Sequence, residues 1–258
     1  MRLAAFLGSL ALTAALLNTP VTATADNGSA DNGGAEIVHK LRIGTSVKGR
    51  AIMAYRVGDP DAKVKAVVLG AIHGDESAGI RVARAIRAAD VKKNGKRGRI
   101  KGVDLWVVPT INPDGVARNT RQNARHVDLN RNWGVKWAPL GAPYFSGTKA
   151  WSEPETRAFR DFLDEIDPRF VVSFHQPLHG VGRAGERPAF VKRLARGLKL
   201  PRKAFNCTGV CHGTMTEWFN KRHDGTAVTV EFGAQPRRSY LRHRAMRGTV
   251  EAVLGRLS

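Results

Sequence analysis

The chain has 258 residues, with 42 Lys and Arg against 22 Asp and Glu, a net charge of +20, and 42% hydrophobic residues. This is enough apolar material for one well-buried core and too little for two domains of ordinary size. The positive surplus suits an anionic partner, but Lys and Arg are scattered and no nucleic-acid-binding motif accompanies them, which argues against a nucleic-acid partner.

Residues 1–25 read as a secretory signal peptide. Arg2 supplies the positive start, Leu3 to Leu17 an apolar stretch, and Ala23-Thr24-Ala25 a small-residue cleavage site. The apolar stretch falls short of the roughly 20 residues a membrane span needs, so no membrane insertion is expected once it is removed. The retained anchor is the alternative. Residues 26–36, rich in Asp, Asn, Gly, Ser and Ala, read as a disordered leader, and residues 37–258 as one domain. The expected location is extracellular or cell-wall associated.

An apolar strand-like run, Val67 to Ile72, ends in His73-Gly74-Asp75-Glu76. Imidazole nitrogen and carboxylate oxygen are both ligands that zinc accepts, and a strand-to-helix turn can aim the two at one point. An acidic residue suited to a first helical turn is the plainer reading of Glu76. Helical periodicity follows over Glu76 to Ala89. A loop-like basic run comes next, through Lys92, Lys93, Lys96, Arg97, Arg99 and Lys101. After a second apolar run, Val103 to Pro109, Asn112-Pro113-Asp114-Gly115 has turn chemistry. The polar stretch beyond it carries Arg121, Asp128, Asn130 and Arg131. Guanidinium forks grip carboxylates and oxyanions bidentately.

Ser152-Glu153-Pro154-Glu155 opens a helix, with Ser152 expected as its N-cap. A third apolar run, Phe170 to Phe174, ends in His175, and a fourth, Ala227 to Val230, ends in Glu231. Cys207 and Cys211 suit a small disulfide loop in an exported protein, with free thiols as the alternative. Leu241 to Leu257 reads as a basic C-terminal helix. Strands alternating with helices predict a single-domain α/β/α sandwich. Its twisted mixed sheet should be mostly parallel, with the site at strand C-terminal ends.

In these residues, and in their order, the chain resembles the carboxypeptidase A-like zinc metallopeptidases. The resemblance implies one zinc per chain, held by His73, Glu76 and His175. It implies Glu231 as the catalytic carboxylate, Arg121 as the electrophilic guanidinium, and Asn130-Arg131 as the grip on a substrate's terminal carboxylate. Asp128 is a candidate partner orienting His73, or a turn-stabilising residue. Trp218 is expected to form a wall of the pocket. The digestive members place a substrate-holding tyrosine between the third ligand and the catalytic glutamate, whereas here no tyrosine lies between His175 and Glu231. His212, Thr214 or Thr216 are the candidates to replace it.

Thr216 falls where the family sets side-chain preference, and it is neither aliphatic nor acidic. The short interval and the dense polar run resemble the branch that cleaves murein tripeptide between D-glutamate and diaminopimelate. The expectation is therefore a secreted peptidase acting on wall peptides with a free C-terminal carboxylate, attracted to an anionic cell envelope. A general metallocarboxypeptidase is the runner-up. A catalytically dead envelope-binding module is a third reading, against which the intact Glu231 counts.

Overall fold

The computed structural model describes residues 40–90, 100–183, 187–205 and 209–256. The expected signal peptide and leader, the basic residues from Lys92 to Arg99, Cys207 and Leu257 lie outside them.

Eight strands form one mixed sheet. In chain order they are β1 (Lys40–Thr45), β2 (Ala51–Gly58), β3 (Lys65–Leu69), β4 (Asp104–Val108), β5 (Phe170–His175), β6 (Leu178–Gly182), β7 (Arg202–Lys203) and β8 (Thr226–Gly233). Their spatial order is β1-β2-β4-β3-β5-β8-β6-β7. The four central strands β4, β3, β5 and β8 run parallel, and the antiparallel pairings lie toward the margins. Central parallel strands are covered on both faces, which is why they read as unbroken apolar runs rather than alternating ones.

Val68, Val172 and Val228 face a layer built from α1 (Ala78–Ala89), α4 (Pro188–Leu198) and α6 (Met246–Val253). Val67, Leu69 and Val171 face the opposite layer, which contains α3 (Pro154–Ile166) and α5 (Met215–Arg222). Each fully buried Val or Leu contributes about 1.5–3 kcal/mol, so the strand ends that carry the site rest on a well-anchored core.

Several local expectations change. The first helix begins at Ala78, two residues later than the periodicity predicts, because Glu76 turns its carboxylate toward His73 and His175. Asn112-Pro113-Asp114-Gly115 is not an isolated turn. Asn112 caps the short helix α2 (Pro113–Arg118) by accepting from Gly115 N at 2.8 Å. Ser152 is not the cap of α3; Glu153 occupies that position with no side-chain cap. Ser152 instead donates to Glu153 Oε1 and accepts from Asn132 Nδ2. The C-terminal helix is π-helical over Tyr240–Ala245 before α6 begins.

Candidate active site

β3 and β5 lie side by side, with α1 and β4 following β3, so a crevice opens at their C-terminal ends where α/β sheets place ligands. His73 lies four residues past β3, while His175 closes β5. Glu231 lies directly opposite His175 in the β5–β8 register. Gly74 brings the His73 turn into backbone contact with α2. A Cβ at Gly74 would collide with the carbonyl carbon of Gly115, so no larger residue fits without moving one of the two segments.

The ligand candidates converge. His73 Nδ1 lies 2.8 Å from Glu76 Oε1, and His175 Nδ1 lies 3.0 Å from Glu76 Oε2. The outer nitrogens are occupied elsewhere: His73 Nε2 faces Asp128 Oδ1 and His175 Nε2 faces Ser173 Oγ, each at 3.0 Å. With Nε2–H donated outward, each Nδ1 lone pair faces the shared point, and such partners orient a metal-binding imidazole. All three side chains are buried, and their ligand atoms lie within 4.8 Å of one another. Burial lowers the pKa of His73, yet the carboxylates of Glu76 and Asp128 outweigh it and carry it to about 9. The two carboxylates make this a place for positive charge. Nitrogen and oxygen donors with one side open to a cleft fit zinc in its catalytic form.

Asp128 is thus no simple turn residue. Its Oδ1 receives His73 and the Asn130 amide, and its Oδ2 receives Arg121 Nε at 2.9 Å. One buried carboxylate therefore positions the imidazole and the neighbouring guanidinium together. Arg121 Nη1 lies 3.4 Å from Glu76 Oε1. Asn130 accepts from Met215 N through Oδ1, which leaves its amide NH₂ for a ligand. Arg131 is buried; it donates through Nη1 to the Asn130 carbonyl, while Nε is buried without a partner among the described residues. Burial pushes Glu231 upward from its ordinary pKa, opposed by His175 and by the Leu178 amide that donates to Oε2 at 3.2 Å.

All seven predicted site residues, His73, Glu76, Arg121, Asn130, Arg131, His175 and Glu231, line one cleft of about 940 Å³. Thr214 and Thr216 also line it; His212 does not. Trp218 is a correction. It forms no wall but is buried, with its ring 5.0 Å from Trp133 and 5.5 Å from Trp151, because its side of α5 packs into the core. The sequence reading missed Ser173 and Tyr144. Ser173 had a signal, since it lies two residues before His175 and so shares its side of the strand. Tyr144 sits in a loop without regular spacing.

Residues 31–178 match the family described as zinc carboxypeptidase, a stretch longer than half the chain. The chain belongs to the zinc carboxypeptidase family. Relatives in it include carboxypeptidase SOL1 of Arabidopsis thaliana, 32% identical over 154 residues, which are 57% of this chain and 30% of that protein. Murein peptide amidase A of Vibrio campbellii is 30% identical over 162 residues, 56% of this chain and 60% of the relative. The chain therefore spans less than two thirds of either. The crystal structure of murein-tripeptide amidase from Escherichia coli O157 superposes with a TM-score of 0.68. The match covers 86% of this chain and 94% of that one at 24% identity, and shows a shared fold. Glu231 lies beyond the residues matched to the zinc carboxypeptidase family, so its place in the site rests on the β5–β8 register.

Proposed function

We propose that this chain is a zinc-dependent peptidase that hydrolyses the amide bond preceding a C-terminal residue with a free carboxylate. The observation that carries this reading is one cleft holding the His73–Glu76–His175 centre, Glu231 across the strand pairing, and an Arg131 Nε without a partner among the described residues. Zinc bound there supplies Lewis-acid polarisation of the carbonyl and acidifies water. Arg131 and the Asn130 amide hold the terminal carboxylate, which orients the bond to be broken. Glu231 accepts the proton of the attacking water and passes it to the leaving amine. Arg121, held by Asp128, meets the charge that develops on the carbonyl oxygen.

The substrate we propose is a wall peptide such as D-glutamyl-diaminopimelate. Arg183 and Lys221 line the cleft beside Thr216 and Thr229, and neither cation has an acidic partner among the described residues. Thr216 and Thr229 hydrogen-bond each other at 2.9 Å, which adds a polar patch to a wall that also carries Leu178, Phe205 and Val210. A residue with a second carboxylate fits this lining, and the murein peptide amidases among the relatives support it. The runner-up, a general metallocarboxypeptidase, is supported by the similarity to the Arabidopsis carboxypeptidase. An inactive binding module is disfavoured by a buried Glu231 at the centre. The decisive comparison sets D-glutamyl-diaminopimelate peptides against peptides ending in Phe, Leu, Lys and Arg. We expect the highest kcat/KM for the wall peptide, and faster release of any ordinary residue would sink that substrate. Amidating the terminal carboxylate should lower kcat/KM about tenfold or more, as a buried Arg131 loses its charged partner.

We further read the protein as exported, on the N-terminal sequence, with Cys207 and Cys211 joined in a disulfide. No free cysteine occurs among the described residues, and Cys211 lines the cleft. Among the described residues no helix is long and apolar enough to cross a membrane. Attraction to an anionic envelope is supported by how charge divides between the layers. Arg81, Arg84, Lys192, Arg196, Arg242 and Arg247 are exposed on α1, α4, the π-helical turn and α6, where Glu251 is the only acid. On the opposite layer α3 carries Asp161, Asp164 and Glu165 exposed, beside Arg157, with Lys221 and Arg222 exposed on α5, so the two signs are mixed there. Retention on cell-wall material should fall steeply as salt rises. Reversing Arg81, Arg84 and Arg196 to Glu should weaken retention while leaving kcat/KM on soluble peptides unchanged. Equal retention of both proteins would remove this face from the envelope role.

A further inference from the structure

Between Trp137 and Gly147 the chain forms an irregular loop that reaches the cleft wall at Tyr144, and cross-bonds fasten it to the segment that carries the site. Asp128 N donates to Phe145 O at 2.8 Å, and Gln122 Nε2 donates to Pro143 O at 2.6 Å. Ser146 donates to Ala138 O, and its carbonyl accepts from Asn132 Nδ2, both at 2.8 Å. Tyr144 N donates to Gly141 O at 2.9 Å. The loop's position is therefore set by the stretch from Gln122 to Asn132, which contains Asp128, Asn130 and Arg131.

These bonds place the half-buried ring of Tyr144 in the cleft wall, with its centroid 5.4 Å from the guanidinium carbon of Arg121 and 5.4 Å from that of Arg131. Two like charges beside one ring repel each other, and the face of an aromatic ring offsets part of that cost. The phenol hydroxyl has no hydrogen-bond partner among the described residues, and it is not one of the buried partnerless atoms. A ring that lines the cleft and carries a solvent-accessible hydroxyl thus sits beside the two guanidinium groups assigned to the substrate's oxygens.

The geometry points to Tyr144 as a substrate-positioning residue of this site. Its hydroxyl donates a hydrogen bond to the terminal carboxylate held by Arg131, and its ring keeps the Arg121 and Arg131 guanidinium groups in place. It does so from a loop ahead of β5, with no tyrosine available between His175 and Glu231. This rests on the assignment of the cleft to substrates with a free C-terminal carboxylate, but not on which residue they end in.

Two variants separate hydroxyl from ring. Tyr144→Phe should lower kcat/KM about tenfold, mostly through KM, with zinc content and melting temperature unchanged; one lost hydrogen bond to a charged group has about that effect. Tyr144→Ala should also lower kcat, because the Arg121 guanidinium loses the ring beside it. The kinetics use whichever peptide of the panel is cleaved fastest, so a failed wall-peptide assignment leaves the role of Tyr144 tested. Calorimetry on the Glu231→Gln background supplies a readout independent of turnover, where adding Tyr144→Phe should raise Kd for the D-glutamyl-diaminopimelate peptide about tenfold. Should that peptide not bind, the best-cleaved peptide of the panel replaces it. Tyr144→Phe within twofold of the parent in both measurements overturns the hydroxyl contact. A chain that neither binds nor cleaves any peptide of the panel overturns both this role and the functional reading.

Discussion

Glu231→Gln is expected to lower kcat by about 10²–10⁴-fold while leaving the affinity for zinc and for substrate close to that of the parent. The amide is nearly the same size as the carboxylate and can still accept a hydrogen bond from the Leu178 amide, so the β8 end and the Leu178 turn should keep their arrangement. What it lacks is the capacity to take a proton from water. The expected pattern, kcat and kcat/KM falling together at constant KM, marks an interaction made only in the transition state. Steady-state kinetics, metal analysis and substrate calorimetry on the variant test it together. Turnover near that of the parent would remove Glu231 from the chemistry and overturn the proton-transfer role assigned to it. The raised pKa of Glu231 has a sign that can be checked as well. Burial favours the protonated, inactive carboxyl, so the Glu231 contribution to the acid limb of the rate profile is displaced toward higher pH than for an exposed glutamate.

His175→Ala should reduce bound zinc from about one per chain to a small fraction of that in protein purified without chelator. Three protein ligands are the minimum of a catalytic zinc site, and removing one leaves Glu76 and His73 to hold the ion alone. The same substitution strips Glu76 Oε2 of its imidazole neighbour and leaves Ser173 Oγ without its partner on β5. Some stability is therefore lost along with the metal. The fold should survive, because β5 is held by Phe170, Val171, Val172 and Phe174 packed on both faces of the sheet. Circular dichroism separates loss of metal from loss of fold. Zinc kept at parental affinity in a folded His175→Ala protein would take His175 out of the centre.

Much of the centre is legible in the sequence because its ligands sit where local patterns end. His73 and Glu76 are near neighbours at the close of an apolar run, and His175 and Glu231 close two more. A central parallel strand is covered on both faces, so its apolar run marks its own boundaries, and polar residues at those boundaries are held at the sheet edge where sites form. Helix starts were less legible. Glu76 fits helical periodicity, but its carboxylate lies between His73 and His175, which delays α1 to Ala78. Ser152 resembles an N-cap, yet Glu153 next to it and Asn132, 20 residues earlier, engage its hydroxyl, and the second contact cannot be read from local sequence.

The residue types, their order and the strand ends they occupy follow from the sequence by itself, since each depends on neighbours within a few positions. The tertiary structure alone decided which imidazole nitrogen of His73 faces Glu76, because Asp128, which engages the other nitrogen, is 55 residues from His73. It alone placed Trp218 in the core, among rings supplied by other segments. Only the folded chain brings the Tyr144 loop over Arg121 and Arg131, through bonds to Gln122, Asp128 and Asn132. Contacts of this kind are set by packing between segments distant along the chain, and such packing leaves no period or spacing in the sequence to read.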